Sequence, residues 1–161
     1  MAIATVNITE DIDLESVLEK FPAHMKRTVL SNAVKAAGKI VQKEAMARAP
    51  VGDPSHKPQL KPLAKSIGLI IKKYSNDEKF MAIVGPQRPA GAHGHLLEGG
   101  HDIFARGPKG VSYKGKKVKP LTGKTRAAAR AFMVPAIDAT RTAQDVAVIE
   151  SIDDALIAAG L

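Results

Sequence analysis

The chain has 161 residues, a formal net charge of +8, 4% aromatic residues, and neither cysteine nor tryptophan. This length suits one domain over residues 1–161 with a core of Ala, Val, Ile and Leu. The lack of cysteine excludes disulfides, cysteine-based zinc sites and thiol catalysis, and no apolar run approaches the roughly 20 residues of a membrane span, so we expect no membrane partner.

The positive charge lies in the middle of the chain. Residues 1–20 hold five acids and one base, and residues 138–161 again hold five acids and one base. Residues 21–137 therefore carry 22 bases and 6 acids. A basic belt between acidic ends favours contact with nucleic acid or with an acidic protein surface.

The first predicted elements are an N-terminal arm with a short helix within residues 1–20, and then one long helix. Apolar residues recur from Met25 at three- and four-residue steps, which predicts a helix of roughly 25 residues, about 37 Å long. Pro50 should stop this helix, because the residue before a proline avoids the helical region. Residues 51–62 read as a loop.

A β-hairpin is predicted next. Residues 66–73 form one apolar strand beginning at Ser66, and residues 80–84 form its partner after a polar turn. Two strands are marginal by themselves, so more must join them. The predicted fold class is α+β: a long N-terminal helix packed on a small antiparallel sheet, with C-terminal helices and a long basic loop.

The rest of the chain is predicted to be irregular up to residue 125, with residues 101–125 as an extended basic loop. Residues 126–132 favour a strand, and Pro135 suits the start of a helix. Ser151 resembles the N-cap of a separate last helix within residues 150–161.

The basic loop is the sharpest candidate for an interaction site. From residue 106 to residue 130 there are nine bases and no acid. These bases could neutralise phosphates, although Tyr113 is the one ring there for stacking; a loop that faces a protein partner is the other interpretation. The candidate contact residues are Arg106, Lys109, Lys114, Lys116, Lys117, Lys119, Lys124 and Arg126.

A metal site is a weaker hypothesis. His93, His95 and His101 lie near Glu98 and Asp102, and imidazoles with carboxylates can bind zinc. The spacing differs from the helical H-E-x-x-H pattern that indicates such a site strongly. We expect polar contacts from these residues, and no metal.

Catalytic motifs are also weak. Gly123-Lys124-Thr125 resembles the end of a phosphate-binding loop, but the position that needs the first glycine holds Val118. Ser66 has no evident base and no nucleophile elbow. We therefore expect no enzyme and no cofactor.

Four short segments follow one another in a fixed order along the chain. They are Ala47–Gly52, Leu63–Ile67, His95–Gly100 and Arg130–Ile137. Each is weak alone, but their order and spacing together are moderately specific. The positions that mark the fold are Pro50, Gly52, Ser66, Glu98, Gly100, Phe132 and Pro135.

These segments resemble the tail-completion or head–tail joining (neck) proteins of tailed bacteriophages, the minor tail "gp10-like" family. The resemblance covers about residues 25–145. In that family a helix ends near Ala-Pro-x-Gly, and Leu-x-x-Ser-Ile starts a strand. A His-x-Leu-Glu-x-Gly-Thr-like segment follows a hairpin, and a Pro-Phe-x-x-Pro-Ala-like segment opens the closing helix. This chain departs from the pattern at Gly99, His101 and Ala131.

The resemblance implies a non-enzymatic virion protein, made in the cytoplasm of the host bacterium and located in the neck. It implies a homo-oligomeric ring whose partners are connector, tail-terminator or tail-tube proteins, with DNA in the channel as a further contact. The alternative from the residues alone is a basic nucleic-acid-binding module, which would bind duplex DNA with a steep dependence on salt.

Overall fold

A computed structural model describes residues 14–19, 21–51, 62–74, 79–89, 91–102 and 126–160. The fold is α+β, as predicted, with a long N-terminal helix on an antiparallel hairpin and a C-terminal helix. The elements are α1 (Leu14–Glu19), α2 (Ala23–Arg48), α3 (Leu63–Ser66), β1 (Ile67–Tyr74), β2 (Lys79–Pro86), α4 (Gly94–Gly99), β3 (His101–Asp102), β4 (Arg126–Ala127) and α5 (Met133–Ala159).

The helix α2 is the element against which the hairpin and α5 both pack. It has 26 residues, and Ala49 beyond its end is extended, with φ −59° and ψ 129°. This is the conformation that Pro50 imposes on the residue before it, so the predicted stop is confirmed. The stripe of buried residues along α2 recurs every four residues: Val29, Ala33, Ala37, Val41 and Ala45.

The hairpin pairs β1 and β2 over their whole length, from Ile67 opposite Pro86 to Tyr74 opposite Lys79. Side chains alternate between the two faces of the sheet. One face meets α2 where Gly38 lets Leu69 come close. Gln42 also donates its Nε2 hydrogen to the carbonyl of Ile67 at 2.9 Å, which ties the start of β1 to the helix.

The helix α5 runs antiparallel to α2, and the two helices share two apolar clusters. The first cluster joins the C-terminal end of α2 to the start of α5 and to the hairpin. The second joins the N-terminal half of α2 to the C-terminal half of α5. Their buried members are Val41, Ala45, Ala49, Leu63, Ile67, Val84, Phe132, Met133 and Ala136 in the first, and Phe21, Val29, Ala33, Ala37, Val148 and Ile152 in the second.

Two buried polar side chains lie on α5 between these clusters. Thr140 donates its hydroxyl to the carbonyl of Ala136 at 2.7 Å. Gln144 donates its amide to the Thr140 oxygen at 2.9 Å and to the Ile137 carbonyl at 3.3 Å. Because these groups make their hydrogen bonds within α5, they need no polar partner from α2 where they are buried.

Two predictions near the C-terminus are wrong. Ser151 does not cap a separate helix, because α5 is continuous from Met133 to Ala159. The stripe that buries Val148 continues to Ile152 across that position, and the packing keeps the helix intact. Pro135 is the third residue of α5 and not its first; it is tolerated there because N–H groups of a first turn have no partner within the helix.

Three further boundaries differ from the predictions. Residues 94–99 form α4 inside the stretch expected to be irregular, and Ser66 ends α3 while β1 begins at Ile67. The strand predicted over residues 126–132 is only the two residues of β4. The arm at residues 1–13, the loop with Gly52, and residues 103–125 lie outside the described residues.

Within the described part of the chain, every helix is too short or too polar to cross a membrane.

We expect Gly38→Val to destabilise the fold by about 1–3 kcal/mol through overpacking. A Cβ at this position would lie 2.6 Å from Leu69 Cδ1 and 3.0 Å from Ala82 Cβ. Urea denaturation measures the change. The matched control is Gly85→Val, because a Cβ there meets no atom within 4 Å; equal losses for both variants would contradict the packing argument.

Candidate functional site at the base of the basic loop

The four sequence segments meet at one end of the molecule. Ala49 from the first segment, Leu63 and Ile67 from the second, and Phe132 from the fourth are buried in one cluster. Leu97 of the third segment packs against the same cluster. The segments are therefore parts of one structural unit, although up to 80 residues of chain separate them.

The centre of this unit is the Glu98 cap, by which we mean the Glu98 carboxylate and the backbone N–H groups of Phe132, Met133 and Val134. Oε2 accepts hydrogen bonds from Phe132 N at 2.8 Å and from Met133 N at 3.1 Å. Oε1 accepts one from Val134 N at 3.1 Å. One side chain on α4 thus holds the start of α5.

The cap completes the hydrogen bonding of the first turn of α5. The initial N–H groups of a helix have no acceptor inside it. Met133 and Val134 are bonded to Glu98, Pro135 has no N–H, and Ala136 N donates to the Phe132 carbonyl at 3.2 Å. A carboxylate at this position is also favoured by the positive end of the helix dipole.

The Glu98 cap has a consequence for chemistry. Both carboxylate oxygens are engaged by backbone donors, so this group is arranged as a structural acceptor and not as a general acid or base. Ser66 is engaged in the same way, since its hydroxyl donates to the Leu63 carbonyl at 2.6 Å.

Below the cap lies the loop base, formed by the antiparallel pair β3 and β4. Its partners are His101 with Ala127 and Asp102 with Arg126. Arg126 donates from Nη2 to the Gly99 carbonyl at 3.3 Å, and Arg130 N donates to the Leu97 carbonyl at 2.7 Å. The residues on either side of the basic loop are therefore held side by side.

Gly100 fixes the turn from α4 into this loop base. Its φ is +69°, a backbone conformation that side chains with a Cβ rarely adopt. A Cβ would also lie 2.7 Å from the Ala127 carbonyl oxygen. The close approach of β4 thus supplies a second reason for glycine at this position.

Close packing also explains Gly91, which precedes α4, and Gly94, the first residue of α4. A Cβ on Gly91 would lie 2.7 Å from Ser66 Oγ, and one on Gly94 would lie 2.5 Å from Pro86 Cγ. Gln87 N donates to the Ser66 carbonyl at 2.8 Å. The end of the hairpin is thus pressed against α3, and this contact positions α4 and Glu98.

The structure places only one of the eight candidate contact residues. Arg126 is exposed and lies in the loop base. The other seven bases fall in residues 103–125, outside the described residues, and their role stays a prediction. The structure does bring together the positions that flank them.

The histidines of the metal hypothesis are partly described. His93 and His95 are exposed, and His101 Nδ1 lies 3.4 Å from the Leu96 carbonyl oxygen. Among the described residues, no group of three or more His, Asp or Glu side chains is placed to hold a metal ion.

The sequence indicated that Glu98 marks the fold, but it did not indicate that Glu98 accepts a hydrogen bond from the backbone of Phe132. The two are separated by 34 residues, and helical or strand periodicity carries no information over that distance. One signal was available: residues 130–134 contain no Ser, Thr, Asp or Asn that could cap α5. A helix start without a local acceptor indicates a distant one.

The described site thus consists of a carboxylate that binds backbone N–H groups and of glycines that allow tight packing. Residues 12–100, more than half of the chain, match the family model described as "Bacteriophage HK97-gp10, putative tail-component". The chain belongs to this HK97-gp10-like family of bacteriophage tail components, and the resemblance seen in the sequence is confirmed. No curated protein and no solved structure matches it.

The matched residues end just beyond Glu98. The fourth segment and all of α5 lie outside the match. The Glu98 cap is therefore one contact by which the matched part of the chain holds α5, in addition to the two apolar clusters.

We expect Glu98→Ala to destabilise the protein by about 1–3 kcal/mol, because three N–H groups lose their acceptor. Glu98→Gln should recover part of this loss, since one amide oxygen remains an acceptor. Urea denaturation gives both values. Glu44→Ala is the control: this carboxylate bonds Arg48 in an exposed pair at 2.7 Å, worth about 0.5 kcal/mol or less. Equal losses at the two positions would contradict the cap.

Proposed function

We propose that this protein is a structural part of the neck of a tailed bacteriophage, in a tail-completion ring that joins the tail to the head connector. Copies of the chain form the ring, and the protein has no catalytic role in the virion. The observation that carries the proposal is the loop base, which holds both ends of a seven-base insertion at one point next to the Glu98 cap.

The insertion is suited to docking. Residues 103–125 contain seven bases and no acid, and they leave the scaffold between two paired residues. A segment with this excess of positive charge favours contact with an acidic partner surface. In a ring, each copy would offer the same basic segment to the neighbouring ring of the neck.

The membership in a family of tail components supports the location in the virion. The joint between head and tail is the part of this proposal that goes beyond the family. A ring at this joint needs two surfaces on each chain, one toward other copies and one toward a different protein.

The test is a phage in which the gene for this chain is inactivated and supplied in trans. We expect a chain lacking residues 107–124 to fold but to yield no infectious particles, with filled heads and free tails in electron micrographs. Circular dichroism and urea denaturation of the purified deletion variant check that the scaffold is intact.

A second variant separates charge from length. It keeps the length of the insertion but replaces each of its seven bases by glutamine. If the positive charge of the insertion binds the partner, this variant should yield no infectious particles, as the deletion does. Normal titres from both variants would overturn the proposal. The replaced residues are Arg106, Lys109, Lys114, Lys116, Lys117, Lys119 and Lys124.

The same bases keep the nucleic-acid-binding module as a second candidate. It predicts retardation of free duplex DNA that falls steeply between 50 and 200 mM salt, by roughly 10³-fold for six phosphate contacts. The all-glutamine variant should then lose retardation. DNA binding together with normal head–tail joining by that variant would favour this candidate; no retardation at low salt would remove it.

A further inference from the structure

The hairpin has an apolar face turned away from α2. Leu69, Ala82 and Val84 face the helix, so alternation puts Ile70 and Ile83 on the other side, where they are cross-strand partners. Ile70 is 48% exposed and Tyr74, on the same side, is 47% exposed. We call this surface the outer sheet face: Ile70, Lys72, Tyr74, Met81 and Ile83.

The helix α5 has a matching surface. Its buried stripe includes Val148 and Ile152, and the opposite side carries Val146, 46% exposed, and Ile157, 77% exposed. A surface helix normally carries polar residues on that side. We call this surface the outer helix face: Ala139, Thr142, Ala143, Val146, Ile149, Glu150, Asp153 and Ile157, all of them exposed.

The two surfaces carry opposite charges. The strands β1 and β2 contain three lysines and no acid. The helix α5 contains five acids and one base. Lys72 lies on the outer sheet face, whereas Glu150 and Asp153 lie on the outer helix face. The charges that border the two apolar strips are therefore opposite in sign and attract each other.

Their dimensions also agree. From Ile70 to Tyr74 a strand advances about 13 Å, at roughly 3.3 Å per residue. From Val146 to Ile157 a helix advances about 16 Å, at 1.5 Å per residue. Next to the sheet strip, a Cβ on Gly85 would meet no atom within 4 Å, whereas the side chain of Gln87 covers its cross-strand partner Gly68, so the strip is open as far as Gly85.

We propose that the outer sheet face of one copy docks on the outer helix face of the next copy. The contact uses two different surfaces of the same chain, and repetition of such a head-to-tail contact generates a closed ring or a filament. This inference rests on the proposed ring and names its interface.

The first test uses Ile70→Asp and Val146→Arg in the full chain, studied by analytical ultracentrifugation over a range of concentrations. Wild type should form oligomers, and each variant should associate at least about tenfold more weakly, because a charge enters the apolar strip. Mixing the two variants should restore a 1:1 pair, since one retains the helix face and the other the sheet face. Val51→Asp is the control: this residue is apolar and 92% exposed, and it lies on neither surface.

A second test captures weak contacts. The chain has no cysteine, so Ile70→Cys and Val146→Cys introduce the only thiols. Under mild oxidation, each single variant can give no product larger than a dimer, whereas the double variant should give a ladder of trimers and higher species. The double variant Ile70→Cys with Val51→Cys should give no such ladder.

Three results would overturn the interface. One is a wild type that stays monomeric together with a double-cysteine chain that forms no ladder. Another is normal association of only one of Ile70→Asp and Val146→Arg, which would exclude a contact between the sheet face of one copy and the helix face of the next. The third is normal association of both variants with loss of virion attachment, which would assign the surfaces to a different protein and leave the neck function standing.

Discussion

The three hydrogen bonds between the Glu98 carboxylate and the start of α5 connect distant parts of the chain that also share an apolar cluster. On one side are α4 and the hairpin that supports it; on the other is a helix that supplies members of both apolar clusters. The position of Glu98 in turn depends on Gly91 and Gly94, which let α4 approach Pro86 and Ser66. Disturbing any of these contacts would alter the register of α5 on α2.

The small residues of the core shape the rest of the molecule. With few aromatic side chains, the contact between α2 and its neighbours is made by Val29, Val41, three alanines and Gly38; the small residues bring backbones close together but bury little area each. Such a core leaves apolar side chains such as Ile70 and Val146 at the surface. A protein of this kind gains stability when further copies or partners cover that surface.

The parts of the fold that could be predicted are those written in local patterns. The stripe along α2 and the alternation of the hairpin state their own structure, and Pro50 ends the helix as expected. Ser151 misled because Ser followed by Asp resembles a cap wherever it occurs, while the packing of Val148 and Ile152 that overrides it is tertiary. The partner of Glu98 and the helix α4 depend on contacts across the fold, so neither was accessible to periodicity.

The pairing of Asp102 with Arg126 has a consequence for how such proteins diversify. Because Asp102 and Arg126 are neighbours, the scaffold restricts the length of the segment between them little: in general, doubling the length of a closed loop adds only about 0.6 kcal/mol in closure entropy. Insertions of different length or sequence can thus be exchanged at this point while Glu98, α5 and the hairpin stay in place. The loop base holds both ends of this segment at one place on the scaffold, so a change of partner would need changes only in the segment.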